Sequence, residues 1–413
     1  MSRLGSFRIQ LPAASQRRIH TALRQRGVVV TASGAGLVML ASIAIAVAAP
    51  GSGHAAAMSP AGHAAAQAQA DVPVTPLQIM SVTPADSAHN VNGALPVKVS
   101  FNQPLATNSP MPTLSPKIAG SWAVNGDDAV FTPATGYTED TKVTIKIPGG
   151  AGGMQAEGVG QTTIAGAGLL ASSAKDTFTT GSYSTMRLQQ LLAQLGYLPL
   201  RWTPASTSPV PGDASGQLSA AYDPPPGTFT WQPGYPSILR TFWSKGKGNL
   251  IDDGAVRSFE WQHGLTMDGD AGPLVWKALL TAIARGQDNQ HGYTYALASE
   301  ASPETLTIWH NGQMVLRTLA NTGIPAAPTA IGTFPVYLRY HYQVMKGINP
   351  DGTPYADPVW YVSYFNSGMA VHYFPRYSYG FPQSLGCVEL PWDSAAKAWP
   401  YLTYGSLVTV QAA

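Results

Sequence analysis

Charged residues and cysteine are both scarce in this sequence. Asp, Glu, Lys and Arg make up 11% of the 413 residues, and the formal net charge is +2. Nucleic-acid-binding domains usually carry a concentrated basic face. Positive charge clusters here only at the N-terminus, so we predict no nucleic-acid partner. The single cysteine, Cys387, excludes an internal disulfide. It is therefore a buried apolar filler, an intermolecular cross-linker or a reactive thiol.

Sequence signals for metals and cofactors are also missing. The chain has no His-Glu-x-x-His motif and no pair of cysteines, which removes the commonest zinc-binding patterns. Residues 149–161 are rich in glycine, but no Lys-Ser or Lys-Thr follows them, as a phosphate-binding loop requires. We therefore predict no metal and no cofactor.

The N-terminus combines a basic stretch with a long uncharged run. Six arginines precede residues 28–49, which carry no charge and are long enough to cross a bilayer as a helix. The arginines place residues 1–27 in the cytoplasm as a basic tail and the rest of the chain outside. We predict a transmembrane anchor at 28–50 and a single-pass protein of the cell membrane, with its C-terminal domains in the cell wall. The alternative is a signal peptide cleaved at the small residues 46–48, followed by secretion.

Two kinds of segment follow the uncharged run. Residues 51–75 are small, polar and aperiodic, which predicts a flexible linker. From 76 to 182, short segments alternate apolar and polar residues, and Asn125-Gly126 is a strong hairpin signal. Strands at this spacing favour a small β-sandwich. Segments such as 120–145 resemble the immunoglobulin-like modules of bacterial surface proteins, so we predict an immunoglobulin-like spacer domain.

The periodicity becomes helical between 183 and 288. Gly196 suits a helix C-cap, and a second helix is predicted with Asp253 as N-cap and Gly264 as its stop, before a third helix. One face of the first helix carries four leucines: Leu188, Leu191, Leu192 and Leu195. The order of the Leu, Gly-Tyr, Phe, Asp-Gly and Trp-x-x-Leu positions resembles the three-helix peptidoglycan-binding domain of cell-wall enzymes.

An insertion at 201–249 departs from that domain. It separates the first predicted helix from the second and is rich in proline and aromatic residues. Aromatic faces can stack on sugars, which would allow a glycan contact. We predict instead that the aromatic residues pack within the insertion or against a neighbouring domain. These residues are Trp202, Tyr222, Phe229, Trp231, Tyr235, Phe242 and Trp243.

A predominantly β domain is predicted from 289 to 413, with its reactive residues near the end. His372 ends an apolar strand run, and the residues between it and Cys387 contain enough Gly, Pro and Ser to turn back. Exported proteins usually pair their cysteines, so an unpaired one beside a histidine favours a reactive thiol. Gly386 lets the backbone approach a substrate, and its N–H can help to hold an oxyanion. The sequence therefore predicts Cys387 as nucleophile and His372 as base.

This end of the chain resembles the L,D-transpeptidase catalytic domain of the YkuD type. The resemblance rests on His372, on Ser384-Leu385-Gly386-Cys387-Val388-Glu389, and on segments 329–336 and 404–410. It implies an active-site lid at 341–361. The site residues that it implies are Cys387 and His372 as the catalytic pair, Gly386, Ser384 and Tyr373 as oxyanion or orienting residues, and Tyr355, Trp360 and Tyr361 as substrate-binding residues.

Two positions depart from the pattern of that family. Leu385 replaces a histidine, and Glu389 replaces an asparagine or arginine. Both changes affect the polar contacts around the catalytic pair, and neither removes the pair itself.

The resemblance implies acyl transfer on peptidoglycan. A tetrapeptide stem would be the donor and the side-chain amine of a second stem the acceptor, which gives a 3→3 cross-link through a thioester on the cysteine. L,D-carboxypeptidase activity, with water as the acceptor, is one alternative, and a non-catalytic peptidoglycan-binding wall protein is another. The predicted fold is multidomain and mainly β, with an immunoglobulin-like β-sandwich, a three-helix peptidoglycan-binding domain with an insertion, and a β-rich catalytic domain.

Overall fold

A computed structural model describes residues 75–158, 168–205 and 212–413. The predicted basic tail, membrane segment and almost all of the linker lie outside these ranges. Within them, no helix is both long enough and apolar enough to cross a bilayer.

The described residues between 79 and 180 form two facing four-stranded sheets. One sheet has the order β1-β3-β6-β5 and the other β2-β8-β7-β4. Alternate residues of β3 and β7 point into the core between them, where Val99, Val143 and Ile145 are fully buried. The predicted β-sandwich is therefore confirmed. Its strands are β1 Ile79–Thr83, β2 Ala88–Val91, β3 Val97–Phe101, β4 Thr113–Ser115, β5 Gly120–Asn125, β6 Asp128–Pro133, β7 Lys142–Ile147 and β8 Ala174–Thr180.

The hairpin between β5 and β6 lies where the sequence predicts it. Asn125 pairs with Asp128, so the two-residue loop is Gly126 and Asp127. Gly126 has a φ of 66°, a conformation that glycine adopts without steric cost. The Asn-Gly signal thus identifies the turn, with the loop one residue further along.

Helices and a small sheet make up the described residues between 185 and 285. The elements are α1 Thr185–Gln194, β9 Leu200–Pro204, α2 Ala214–Tyr222, β10 Gly227–Trp231, α3 Ser237–Arg240, α4 Leu250–Gln262 and α5 Pro273–Arg285. Leu191, Leu192 and Phe259 are fully buried in the core that these elements share. The three predicted helices are present as α1, α4 and α5.

The ends of two helices show how local hydrogen bonding sets their limits. Gly196, with a φ of 79°, ends α1, and the N–H of Tyr197 donates to the carbonyl of Leu192 at 2.8 Å. Asp253 is not the N-cap of α4, contrary to prediction. Asn249 begins that helix, because its side-chain oxygen accepts hydrogen bonds from the N–H groups of Ile251 and Asp252.

The insertion packs inward and against both neighbouring domains. Trp202 and Tyr235 are buried in the helical core. The hydroxyl of Tyr222 donates to the carbonyl of Tyr137 in the sandwich at 2.8 Å, and that of Tyr235 donates to the carbonyl of Tyr293 at 3.0 Å. Tyr222 and Tyr235 therefore connect the helical region to the domains on either side. This agrees with the prediction that the insertion packs against a neighbouring domain.

Residues 294–411 form two sheets that pack on one core. The first has the order β13-β12-β11-β19-β14 and the second β15-β16-β17-β18. Ala296, Ile308, Val371, Val388 and Val408 are fully buried between them. The elements are β11 Thr294–Ser299, β12 Thr305–His310, β13 Gln313–Leu319, β14 Gly332–Pro335, β15 Leu338–Ile348, β16 Pro354–Asn366, β17 Met369–Tyr373, β18 Val388–Leu390, α6 Trp392–Ala398 and β19 Leu407–Gln411.

The predicted lid is a long β-hairpin. Strands β15 and β16 pair antiparallel from Leu338 opposite Tyr364 to Ile348 opposite Pro354. Residues 349–353 form the turn at its tip. The outer half of this hairpin, residues 354–359 of β16, extends beyond the pairing of β16 with β17.

Candidate active site

Parallel pairing of two short strands brings the predicted nucleophile and base together. Val371 of β17 pairs with Val388 of β18, and His372 pairs with Glu389. Cys387 immediately precedes β18, so it lies beside the start of this ladder. His372 and Cys387 line the same cavity, which has a volume of about 240 Å³. The loop between them turns back at glycines in left-handed conformations, Gly380 with a φ of 113° and Gly386 with a φ of 108°.

His372 is held as a neutral base. Its side chain is 3% exposed, and burial lowers the pKa of its imidazole below the ordinary value of 6.5. Its Nδ1 lies 2.9 Å from the carbonyl oxygen of Tyr373. A carbonyl can only accept, so Nδ1 carries the proton and Nε2 keeps a free lone pair. Tyr373 thus orients the base through its main chain, while its ring packs on Trp392 with centroids 4.9 Å apart.

Cys387 is a protonated thiol at rest. Burial raises its pKa from the ordinary value of 9.0 to about 12, the negative charge of Glu389 adds to this rise, and the N–H of Ala370 opposes it. The Sγ atom lies 3.8 Å from the carbonyl oxygen of Gly368, to which the thiol donates. The resting pair is therefore a neutral thiol and a neutral imidazole, and the thiolate forms only when His372 takes the proton.

Ser384 shapes the turn that carries the thiol. Its fully buried hydroxyl donates to the carbonyl of Cys387 at 2.6 Å and accepts from the N–H of Gly386 at 3.1 Å. These hydrogen bonds support the prediction that Ser384 is an orienting residue. The predicted oxyanion role of Gly386 would require its N–H to leave Ser384, because that donor is already engaged.

Only one of the three predicted substrate-binding aromatics faces the cavity. Tyr355 lines it from β16, together with Asp357 and Val359 of the same strand. Trp360 points to the other face of the sheet, where its ring packs on Tyr373 and Trp392. Trp360 therefore does not line the cavity, because side chains of a strand alternate between its two faces, and its substrate-binding role stays a prediction.

Tyr361 does not line the cavity either. Its φ is 59°, and the pairing of β16 with β17 shifts register between Trp360 and Ser363. This irregularity directs the ring of Tyr361 towards Trp392 and Trp399 instead of the cavity.

An ion pair in the cavity wall is the functional feature that the sequence prediction missed. The guanidinium of Arg376 donates from Nε to Glu389 Oε2 at 2.7 Å and from Nη2 to Glu389 Oε1 at 2.8 Å. Nη2 also donates to the carbonyl of Gln383 at 2.9 Å. A signal did exist, since a carboxylate in an apolar strand needs a cation, and Arg376 is the only Lys or Arg between 347 and 396. The other departure, Leu385, lines the cavity with an apolar side chain.

The arrangement is that of a cysteine acyltransferase. Nucleophilic attack on a carbonyl and transfer of the acyl group require a thiol, a base with a free lone pair and a cavity for the substrate, and this site has all three. Among the residues of the described ranges, no three His, Cys, Asp or Glu side chains are grouped to hold a metal ion.

Comparison with known families assigns this site to a domain type. Residues 294–410 match the family model of the L,D-transpeptidase catalytic domain, and residues 73–180 match that of the bacterial Ig-like domain. The C-terminal region is therefore an L,D-transpeptidase catalytic domain, and the protein is an acyltransferase of that kind. The predicted peptidoglycan-binding identity of residues 183–288 is not shown by these matches and stays a prediction.

Solved structures with similarity to the chain carry the same description. An L,D-transpeptidase from Mycobacterium smegmatis is 16% identical, with 82% of this chain and 100% of that chain covered and a TM-score of 0.27. L,D-transpeptidase 3 from Mycobacterium tuberculosis is 14% identical over 81% of this chain and 98% of that chain, with a TM-score of 0.27. The catalytic domain of an E. faecium L,D-transpeptidase is 27% identical over 28% of this chain and 95% of that chain, also with a TM-score of 0.27. Among curated proteins, no match is found.

The resting protonation state of the thiol can be tested by alkylation. We expect native Cys387 to react with iodoacetamide far more slowly than a free thiol near pH 8, because a pKa of about 12 leaves little thiolate. Its rate should rise about tenfold per pH unit up to roughly pH 11, whereas in denaturant the rate should level off near the ordinary pKa. Intact mass followed over time gives both rates. A native rate at pH 8 equal to the denatured rate would contradict the raised pKa, and a faster native rate that does not depend on pH would show a resting thiolate.

Proposed function

We propose that the protein forms 3→3 cross-links between peptidoglycan stem peptides through an acyl-enzyme on Cys387. The observation that carries this proposal is that Cys387 and His372 line one cavity. The hydrogen bond of Nδ1 to the carbonyl of Tyr373 leaves Nε2 of His372 free to act as the base. A buried neutral base beside a protonated thiol is suited to activate that thiol as substrate binds.

The first half-reaction forms a thioester. Nε2 of His372 takes the proton of the Cys387 thiol as Sγ attacks the carbonyl of the third stem residue. The C–S bond forms, the bond to the terminal D-alanine breaks, and the leaving amine takes the proton back from His372. In the second half-reaction an amine of another stem attacks the thioester, a C–N bond replaces the C–S bond, and the thiol is restored.

Two alternatives remain for comparison. Water in place of the amine would make the protein an L,D-carboxypeptidase, and the products with an added amine acceptor distinguish the two activities. A non-catalytic wall protein would be expected if Leu385 and Glu389 marked a degenerate site. The ion pair between Glu389 and Arg376 argues against a non-catalytic wall protein. It neutralises the unusual carboxylate in the wall of the cavity, so the site is not disrupted by it.

Loss of either member of the pair should abolish cross-linking. We expect Cys387→Ser and His372→Ala each to lower the rate by several orders of magnitude, since nucleophile and base act as one unit. Mass spectrometry of stem peptides after incubation measures the product. Tyr377→Phe is the matched control, because Tyr377 is fully exposed and lies outside the cavity. Cross-linking retained by Cys387→Ser would contradict the mechanism, and failure of that variant to fold would favour the thiol as a buried filler.

We also propose that the helical region helps to place the enzyme on peptidoglycan. The proposal is supported by α1, α4 and α5 forming where the resemblance to a peptidoglycan-binding domain requires helices. A cavity of about 300 Å³ lies between the end of α4 and the start of α5, and Leu274, which is 71% exposed, stands at its edge. We assign Leu274 and this cavity to the contact with peptidoglycan.

Sedimentation with insoluble peptidoglycan tests this placement in the intact ectodomain. Removal of the helical region would be a poor test, because Tyr293, Tyr295 and Leu407 of the catalytic domain share its core. We expect Leu274→Ser to lower the bound fraction about threefold or more through the loss of apolar contact. Met314→Ser is the matched control, as Met314 is 56% exposed on the catalytic domain. Equal binding by both variants and the unsubstituted protein would contradict a role for this surface.

We further propose that residues 28–50 anchor the protein in the cell membrane with the catalytic domain outside. The uncharged run and the arginines before it support this orientation. Cell fractionation should recover the protein with membranes, and protease added from outside should digest its C-terminal domains. Recovery of a soluble protein that begins near residue 50 would show a cleaved signal peptide instead.

A further inference from the structure

The cavity over Cys387 contains three charged side chains, of which two neutralise each other. Arg376 and Glu389 are joined by two hydrogen bonds of 2.7 and 2.8 Å. The third, Asp357, takes part in none of the ion pairs formed by the described residues. With a neutral thiol and a neutral imidazole beside it, this carboxylate gives the cavity a net negative charge.

Asp357 is positioned by the hairpin opposite the catalytic pair. It lies on β16 between Tyr355 and Val359, and all three line the cavity. It pairs across the hairpin with Met345, which lines the same wall. Burial lowers the pKa of His372 and the negative charge of Asp357 offsets a small part of that lowering, while the pKa of Arg376 is raised mainly by its hydrogen bond to Glu389, with a smaller contribution from Asp357.

We propose that Asp357 binds the ammonium group of the acceptor stem and brings its nitrogen to the thioester on Cys387. This assignment rests on the proposed function. The amine of the acceptor is the one cationic group that the transfer reaction itself requires. A partly buried carboxylate without a cation of its own is the side chain suited to bind it.

The step is balanced in bonds and protons. The bound ammonium releases one proton to solvent, and the resulting amine attacks the thioester carbonyl. The C–N bond forms and the C–S bond breaks. The second proton passes from the nitrogen to Nε2 of His372 and then to Sγ of Cys387, which restores the thiol. Hydrolysis uses the same thioester and the same base but involves no cation, so Asp357 favours transfer over hydrolysis.

The ratio of transfer to hydrolysis tests this role. With a tetrapeptide stem as donor and a second stem as acceptor, cross-linked and hydrolysed products of the full chain are quantified by mass spectrometry. We expect Asp357→Asn to lower the ratio about tenfold and to raise the KM for the acceptor, the size of effect that loss of one charge-assisted hydrogen bond produces. Asp357→Glu, which keeps the charge, should retain most of the ratio. Asp393→Asn is the control, because Asp393 is an exposed carboxylate on α6 outside the cavity.

Binding measured without chemistry gives an independent result. In a Cys387→Ala background, calorimetric titration compares a stem with a free side-chain amine to the same stem acetylated on that amine. We expect the free amine to bind about tenfold more tightly, and the difference to disappear when Asp357→Asn is added.

The outcomes separate the two proposals. An unchanged product ratio together with an unchanged preference for the free amine would overturn the role of Asp357. A raised donor KM at a constant ratio would also overturn it, because it would place Asp357 against the donor. If the unsubstituted protein forms neither product, the proposed function fails, and the titration still decides whether Asp357 binds the amine.

Discussion

Strand β17 lies parallel to β18 at the edge of the second sheet, and the candidate site depends on this pairing. A parallel neighbour requires the chain to cross back over the sheet, which the segment between His372 and Cys387 does through a compact loop. The ladder fixes the register, so His372 lies opposite Glu389 and the thiol is held at the beginning of β18. Both strands are anchored by Val371 and Val388 in the core. The packing that stabilises the domain therefore also sets the geometry of the nucleophile and the base.

The ion pair between Arg376 and Glu389 supports this arrangement from the cavity side. Glu389 has a side-chain exposure of only 5%, so without its partner a nearly buried carboxylate would remain, at a cost on the order of 3 kcal/mol. Arg376 also holds the crossover loop through the carbonyl of Gln383. One guanidinium thus neutralises the charge that Glu389 brings into the site and ties the loop to the strand that follows Cys387.

The sequence predicts those parts of the fold and of the site that local patterns determine. The spacing of His372 and Cys387, with glycines between them, is such a pattern, as is the hairpin at Asn125. The N-cap of α4 is also a local feature, but it falls at Asn249 instead of Asp253, because the side chain of Asn249 accepts hydrogen bonds from the N–H groups of Ile251 and Asp252. Other features depend on long-range pairing. The directions in which the side chains of Trp360 and Tyr361 point depend on strand alternation and on a register shift, and no sequence motif indicates that shift. The partner of Glu389 lies thirteen positions away along the chain, on a loop whose path follows only from the fold.

The neutral resting state of the catalytic pair follows from how this site is desolvated. Burial disfavours the charged form of both groups, which raises the pKa of Cys387 and lowers that of His372. Glu389 opposes the thiolate, and although Glu389 favours the imidazolium, Arg376 opposes it and burial has the largest effect on the pKa of His372. Proton transfer from thiol to imidazole therefore becomes favourable only as the sulfur bonds to the substrate carbonyl and the negative charge moves onto the substrate oxygen. The raised pKa of Cys387 thus makes its nucleophilicity depend on a correctly placed acyl donor.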